Sequence, residues 1–259
     1  MTEIPDDDKY RAPALSKGLD ILEMLAGESR GMTQVEIAKA LGRTTSEIFR
    51  MLMVLRQRGY VELSDDGDRY ALTTKMFEIA HKHPPIRRLT AIAGEEMQRL
   101  ADEINQSLHM AILHSGRVLV IAQVDCQDNN ITLVRLGAQI PLFDTASGRV
   151  LAAWKEERAL AALLEAAEGS EDRRADFING LPDVREKGVC ETPSLTLGGV
   201  YNISAPIRDF SGQVVAAMTI PFVERLSGTS IKTIEESREA LQNVCRSISR
   251  QLGATAHGS

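Results

Sequence analysis

The chain has little of what marks a secreted scaffold, a membrane protein or an enzyme. Cysteine occurs three times in 259 residues, at Cys126, Cys190 and Cys245. An odd, scattered set excludes a disulfide framework and suits a reducing compartment. Each cysteine is expected to be a small buried hydrophobe, with a redox switch as the alternative. No apolar run approaches the roughly 18 residues of a membrane span. The start, MTEIPDDDKYR, is acidic where a signal peptide would be basic and then apolar. The expectation is a cytoplasmic protein with no membrane partner. Neither phosphate-cradling loop, G-x-x-x-x-G-K-[ST] or G-x-G-x-x-G, is present, nor is Cys-x-x-Cys. His81 and His83 form an H-x-H pair, and His109 and His114 flank an apolar stretch. Two ligands are too few for a metal site. No catalytic residue, metal or cofactor is therefore expected.

What is present is a local excess of positive charge. The whole chain has a net charge of -6, which argues against a general coat for nucleic acid, so any such binding must come from a patch. Residues 40–62, ALGRTTSEIFRMLMVLRQRGYVE, supply one with Arg43, Arg50, Arg56 and Arg58. The length suits two domains, each with its own core.

The first domain is expected over residues 11–74, after an acidic lead-in at 1–10. Leu15, Leu19, Leu22 and Ala26, with Ile21 and Leu25 alongside, have helical spacing up to Gly27. Thr33 with Glu36, and Thr44 with Glu47, each read as a capping box in which hydroxyl and carboxylate satisfy each other's backbone amides. Two capped helices separated by a turn at Gly42 form a helix-turn-helix. The second of them has a core stripe of Ile48, Met51, Leu52 and Leu55, which leaves Ser46, Glu47, Arg50, Met53 and Gln57 largely on the other side. Phe49 and Met53 either pack against the first helix or the hairpin, or face a partner. YVEL and YALT around SDDGDR read as a β-hairpin, the wing. A linker helix is expected at 75–86, stopped by Pro84 and Pro85.

The second domain, 87–253, mixes elements. A helix at about 89–104 precedes hairpin strands SLHMAIL and VLVIAQV, more strand in NITLVRLGAQIPLF, and helices in TASGRVLAAW, EERALAALLEAA and 173–187. GVYNISAPIRDFSGQVVAAMTIPF reads as two apolar strands joined at Phe210 to Gly212, followed by a helix at about 230–252 and a tail at 254–259. Strands with segregated helices make an α+β domain on an antiparallel sheet. Trp154 is expected to anchor a helix rather than to serve as a ligand platform.

ALSKGLDILEMLA, GMTQVEIAKALG, IFRMLMVLRQRGYV and YALTTKMFEIA, then VRLGAQIPLFDTASGRVLAA and ISAPIRDFSGQVVAAMTI, occur in one order over nearly the whole chain. Together they resemble the IclR, or isocitrate lyase regulator, family of bacterial transcription factors. The resemblance implies a mainly α winged helix-turn-helix domain, a linker helix and a GAF-like α+β effector domain. It also implies a homodimer, or a dimer of dimers, on a roughly palindromic double-stranded operator, controlled by a small-molecule effector such as an organic acid. Thr44, Thr45, Ser46, Glu47 and Arg50 then become candidates for base edges, Arg43 for a phosphate and Arg69 in the wing for the backbone or minor groove. The bland alternative is a solvated basic face balanced by Glu36 and Glu62. Matching the family's ligand site implies Ala146, Ser147, Thr192, Asn202 and Thr219 as effector contacts and Ile140 as an apolar wall. Some relatives carry an acid where Thr192 falls and a cysteine where Asn202 falls. Repression is the default sign, with activation as the alternative. An enzyme with a targeting helix-turn-helix and a protein-contact scaffold are the other classes.

Overall fold

Prolines, capping boxes and strand alternation divide the chain into elements whose placement follows from where each can bury its apolar side. The computed structural model describes residues 12–64, 67–81, 84–127, 134–224 and 232–255. The acidic lead-in, the centre of the wing turn and most of the C-terminal tail lie outside them. Two compact units result, Met1–Pro84 and Pro85–Ser259.

The first unit contains α1 (Pro13–Ala26), β1 (Met32–Thr33), α2 (Gln34–Ala40), α3 (Thr45–Gln57), β2 (Val61–Leu63), β3 (Arg69–Leu72) and α4 (Lys75–His81). Pro13 suits the first turn of α1, where its missing amide would be unpaired in any case. Both capping boxes are formed, Thr33 with Glu36 and Thr44 with Glu47. The core is small: Ile21, Leu25, Ile37, Ala38, Ile48, Leu52, Val61 and Tyr70. In α1 the buried residues are Ile21 and Leu25, whereas Leu15 and Leu19 of the expected stripe are exposed. Strand β1 was not legible in the sequence; it pairs with β3 to give a three-stranded sheet in the order β1-β3-β2. Gly31, at φ +65°, permits that pairing, because a Cβ there would lie 2.7 Å from the Tyr70 carbonyl oxygen.

Pro84 and Pro85 do not stop a helix but open one, α5 (Pro84–Ile104). Proline is tolerated in a first turn because the first amides of a helix have no partner inside it. The second unit continues with β4 (Leu108–His114), β5 (Arg117–Val124), β6 (Gln139–Pro141), a 3-10 turn (Leu142–Asp144), α6 (Ala146–Ala153), α7 (Glu157–Ala166), α8 (Glu171–Lys187), β7 (Cys190–Pro193), β8 (Val200–Arg208), β9 (Val214–Val223) and α9 (Ile234–Gln251). Of the strand expected across residues 130–143, residues 130–133 lie outside the described ones. Among the described residues only Gln139–Pro141 pairs, because Gly137 at φ +79° turns the chain before it and the 3-10 turn follows at once. Strand β7 is an addition to the sequence reading.

All six strands are antiparallel, in the order β6-β5-β4-β9-β8-β7. The sheet separates two cores. On one face Met110, Ile203, Ala205, Met218 and Ile220 meet Met97 and Leu100 of α5 and Leu241 and Ile248 of α9. On the other, Ala111, Val118 and Ala217 meet Ala146 and Val150 of α6, Leu164 of α7 and Phe177 and Leu181 of α8. Trp154 ends α6 half-buried, with the Arg208 guanidinium 4.4 Å from its ring centre, a cation–π contact consistent with an anchor. The three cysteines are buried. Burial pushes the Cys190 thiol up to about 12 and the Cys245 thiol higher, which keeps both protonated and unreactive.

Candidate functional site

At the start of α3 the side chain of Thr44 accepts the Glu47 amide at 3.3 Å and donates to Glu47 Oε2 at 2.9 Å, while the Thr44 amide donates to the same oxygen at 3.1 Å. Lys17 of α1 donates to the other carboxylate oxygen at 2.5 Å. Gln34 of α2 donates to the Thr45 carbonyl at 2.9 Å, tying the two helices of the motif together. The caps that sequence spacing suggested thus orient α3 and join it to α1 and α2.

These bonds divide the expected reading residues into two groups. Thr44 and Glu47 are committed internally, as cap and brace. Arg43, Thr45, Ser46 and Arg50 are exposed, and among the described residues neither arginine forms an ion pair. Phe49 and Met53 are also exposed, at 46% and 43%, so they do not fill a gap against α1 or the wing. Arg69 makes the contact with Glu36 that the alternative reading named. Its guanidinium donates to the Gly31 carbonyl at 3.0 Å and to both oxygens of Glu36, at 3.3 and 3.4 Å. It clamps the wing to the start of α2, and a phosphate would have to compete with those bonds. Lys17 is the residue the sequence reading missed here. Its signal, a basic residue on α1 with an acid on α3, is visible only once the helices are packed.

The hydrogen bond from Lys17, followed by that from the Thr44 amide, lowers the Glu47 carboxyl from 4.5 to about 2. A carboxyl lowered on folding stabilises at pH above its unfolded value, and the stabilisation is lost as pH falls through the folded value. Glu47→Gln is therefore expected to lower the melting temperature of the first unit at neutral pH. The deficit should shrink as pH falls from 4.5 toward 2, followed by circular dichroism. A deficit independent of pH would remove the charge from this brace.

In the second unit Thr192 and Asn202 face each other across β7 and β8, and Ser204 faces Thr219 across β8 and β9. Partners in register share a sheet face, as do residues two apart along a strand. Asn202, Ser204, Thr192 and Thr219 therefore stand on one face. Pro206 pairs with Ala217 two positions further along β8 and β9, and Ala217 belongs to the core cluster of α6, so this is the face that α6 covers. Ala146 and Ser147, 1% and 2% exposed, form the first turn of α6. Thr145 caps the helix by accepting the Gly148 amide at 2.9 Å. The amide-bearing start of a helix favours an anionic oxygen. Ile140 is set apart. It lies on edge strand β6, at the opposite edge from β7, and packs on the same core ahead of Thr145. Thr219 donates to Ser204 at 2.8 Å, and Ser204 was not among the expected contacts. Gly198 and Gly199 form the turn before β8.

Among the described residues no three metal-ligating side chains gather, and no helix is long and apolar enough to cross a membrane. One string passed over in the sequence, Gly27-Glu28-Ser29-Arg30-Gly31, spells G-x-S-x-G. It follows helix α1 rather than a strand, with Gly27, Glu28, Ser29 and Arg30 exposed and Gly31 leading into β1, unlike the strand-to-helix bend that a nucleophile elbow requires.

A winged helix-turn-helix with a capped, basic second helix, joined to an α+β unit with a polar sheet face, defines a DNA-binding transcriptional regulator. Residues 14–65 match the IclR helix-turn-helix domain and residues 86–250 the C-terminal domain of bacterial transcriptional regulator IclR. The chain belongs to the IclR family. It is 30% identical over 246 residues to the glycerol operon regulatory protein of Streptomyces coelicolor, covering 93% of this chain and 96% of that one. It is 27% identical over 243 residues to the transcriptional regulator KdgR of Escherichia coli, covering 92% and 91%. An IclR homologue from Microbacterium hydrocarbonoxydans, solved with 4-hydroxybenzoate, has the same fold at a TM-score of 0.77 and 21% identity, covering 93% of this chain and all of that one.

Proposed function

We propose that this regulator is a homodimeric repressor that reads a roughly palindromic operator through two copies of α3 and is controlled by an organic acid bound in the second unit. The observation that carries the DNA half is the pair Arg43 and Arg50, exposed and without an ion pair among the described residues, at the start of a helix that Thr44 and Glu47 hold in place. Arg43, at the positive end of α3, meets a phosphate, and Thr45, Ser46 and Arg50 reach base edges. Exposed Leu15 and Leu19 on α1 and Met76 and Ile79 on α4 supply apolar surface for pairing of two chains. On the effector side, Ala146 and Ser147 receive the carboxylate, Asn202, Thr192 and Thr219 orient the polar groups, and Ile140 closes the apolar side. The binding of 4-hydroxybenzoate by a structural neighbour supports an acid of this kind. The effector must bind one arrangement of the DNA-reading units better than the other, and by linkage operator DNA changes effector affinity by the same factor.

The test is fluorescence anisotropy with the DNA immediately upstream of the protein's own gene, against an unrelated duplex, at two salt concentrations. Preferential binding that weakens steeply with salt is expected, because phosphate contacts release counterions. Equal binding to both duplexes, insensitive to salt, would favour a protein-contact scaffold instead. In the same assay Arg50→Ala is expected to cost about 1 to 3 kcal/mol of preference for the operator. Equal losses on both duplexes would remove Arg50 from base reading.

A further inference from the structure

The effector site proposed above leaves one buried polar group unexplained. His109 of β4 is 4% exposed, and its Nδ1 has no hydrogen-bond partner among the described residues. A buried polar atom is ordinarily paired, and each exception calls for a reason. His109 is in register with Thr219 of β9 on one side and with Gln123 of β5 on the other. Thr219 is in register with Ser204 of β8, and Ser204 with Cys190 of β7. A single row therefore crosses five strands: Gln123, His109, Thr219, Ser204 and Cys190. Two positions along, Ala111 pairs with Ala217, and both lie in the core cluster that contains Ala146 of α6. The row thus faces the layer whose first turn holds Ala146 and Ser147.

Within this row the polar groups are not equally committed. Thr219 donates to Ser204, and Gln123 Oε1 accepts the Leu136 amide at 2.8 Å. The imidazole keeps a fully buried nitrogen, Nδ1, without a partner among the described residues. Burial lowers its pKa to about 4, so the ring is neutral at neutral pH, with one nitrogen donating and the other accepting. No residue of the row carries a charge that would balance a second carboxylate. A hydroxyl fits either tautomer, since it both donates and accepts.

We propose that His109 contacts the effector and selects carboxylic acids that also carry a hydroxyl group, the carboxylate lying at the start of α6 and the hydroxyl at Nδ1. The proposal rests on the effector-site reading above and adds to it the chemical class of the ligand. A site built to hydrogen-bond a hydroxyl discriminates against the analogue without one, because its own polar atom is then left unpaired.

The test uses matched acids on the full-length protein, lactate against propionate and mandelate against phenylacetate, by isothermal titration calorimetry. Wild type is expected to bind the hydroxylated member of at least one pair about tenfold tighter. His109→Leu should bind both members of that pair equally, while His109→Gln, which retains a donor and an acceptor, should recover part of the preference. Ser147→Trp, which blocks the first turn of α6, should abolish binding of both. A preference that survives in His109→Leu, no preference in wild type, or no binding by any of the four acids overturns the proposal. If binding also survives Ser147→Trp, the acid sits elsewhere and the site reading itself fails. If Ser147→Trp abolishes binding while His109→Leu retains the preference, only the assignment of His109 fails.

Discussion

Gly148→Ala is expected to destabilise the second unit by about 3 kcal/mol and to abolish the response to effector. A Cβ at this position would lie 2.2 Å from the Leu142 carbonyl oxygen and 2.8 Å from Thr145 Oγ1. The first of these atoms is backbone and belongs to the 3-10 turn that delivers the chain to α6, so no side chain can swing aside to relieve the clash. Overpacking of this kind costs roughly 1 to 3 kcal/mol. The second atom is the cap of α6, which accepts the Gly148 amide, and losing a cap costs about 1 kcal/mol more. Relief requires the first turn of α6 to shift, and that turn carries Ala146 and Ser147. Chemical denaturation and effector-driven operator release measure the two consequences. Wild-type stability with a wild-type dose response would show that the turn yields without cost, and the start of α6 would lose its role.

Leu52→Ala is the second large effect, and it should fall on the other unit. Leu52 is fully buried on the core side of α3, opposite the face that carries Arg50. Truncating a buried leucine costs roughly 2 to 5 kcal/mol. The first unit has only a small core, and small domains have little stability to spare. The expected result is loss of operator binding on mild warming, with the melting of the second unit unchanged. Calorimetry resolves the two transitions, and anisotropy reports the binding. Operator affinity equal to wild type across the temperature range would contradict the small-core argument.

The sequence was most informative where its signals are local. Thr33 with Glu36 and Thr44 with Glu47 need only a three-residue spacing to be recognised as capping boxes, and both formed. The exposed arginines followed, because a helix with one core stripe leaves its other face outside. Features that depend on packing partners were hidden. For Arg69 the sequence left two readings open, DNA backbone or minor groove and balance by Glu36, and the pairing of β1 with β3 is what brings Glu36 within its reach. Pro84 and Pro85 looked like a stop, yet the same chemistry permits a helix to begin at them. His109 stood among apolar residues in SLHMAIL, and its place beside Thr219 depends on the register of β4 against β9, which no stretch of either strand encodes alone. Ser204 was missed for the same reason.

That register has a consequence for how such a regulator changes over evolutionary time. Along β4, β8 and β9, Met110, Ala205 and Met218 point to the core of α5 and α9, while His109, Ser204 and Thr219 point the other way. Because the two sets alternate residue by residue, a mutation can exchange a group on the α6 side without removing a side chain from the core beneath it. Substitutions in separate strands can thus change which groups meet the α6 layer, while the core against α5 and α9 is inherited unchanged.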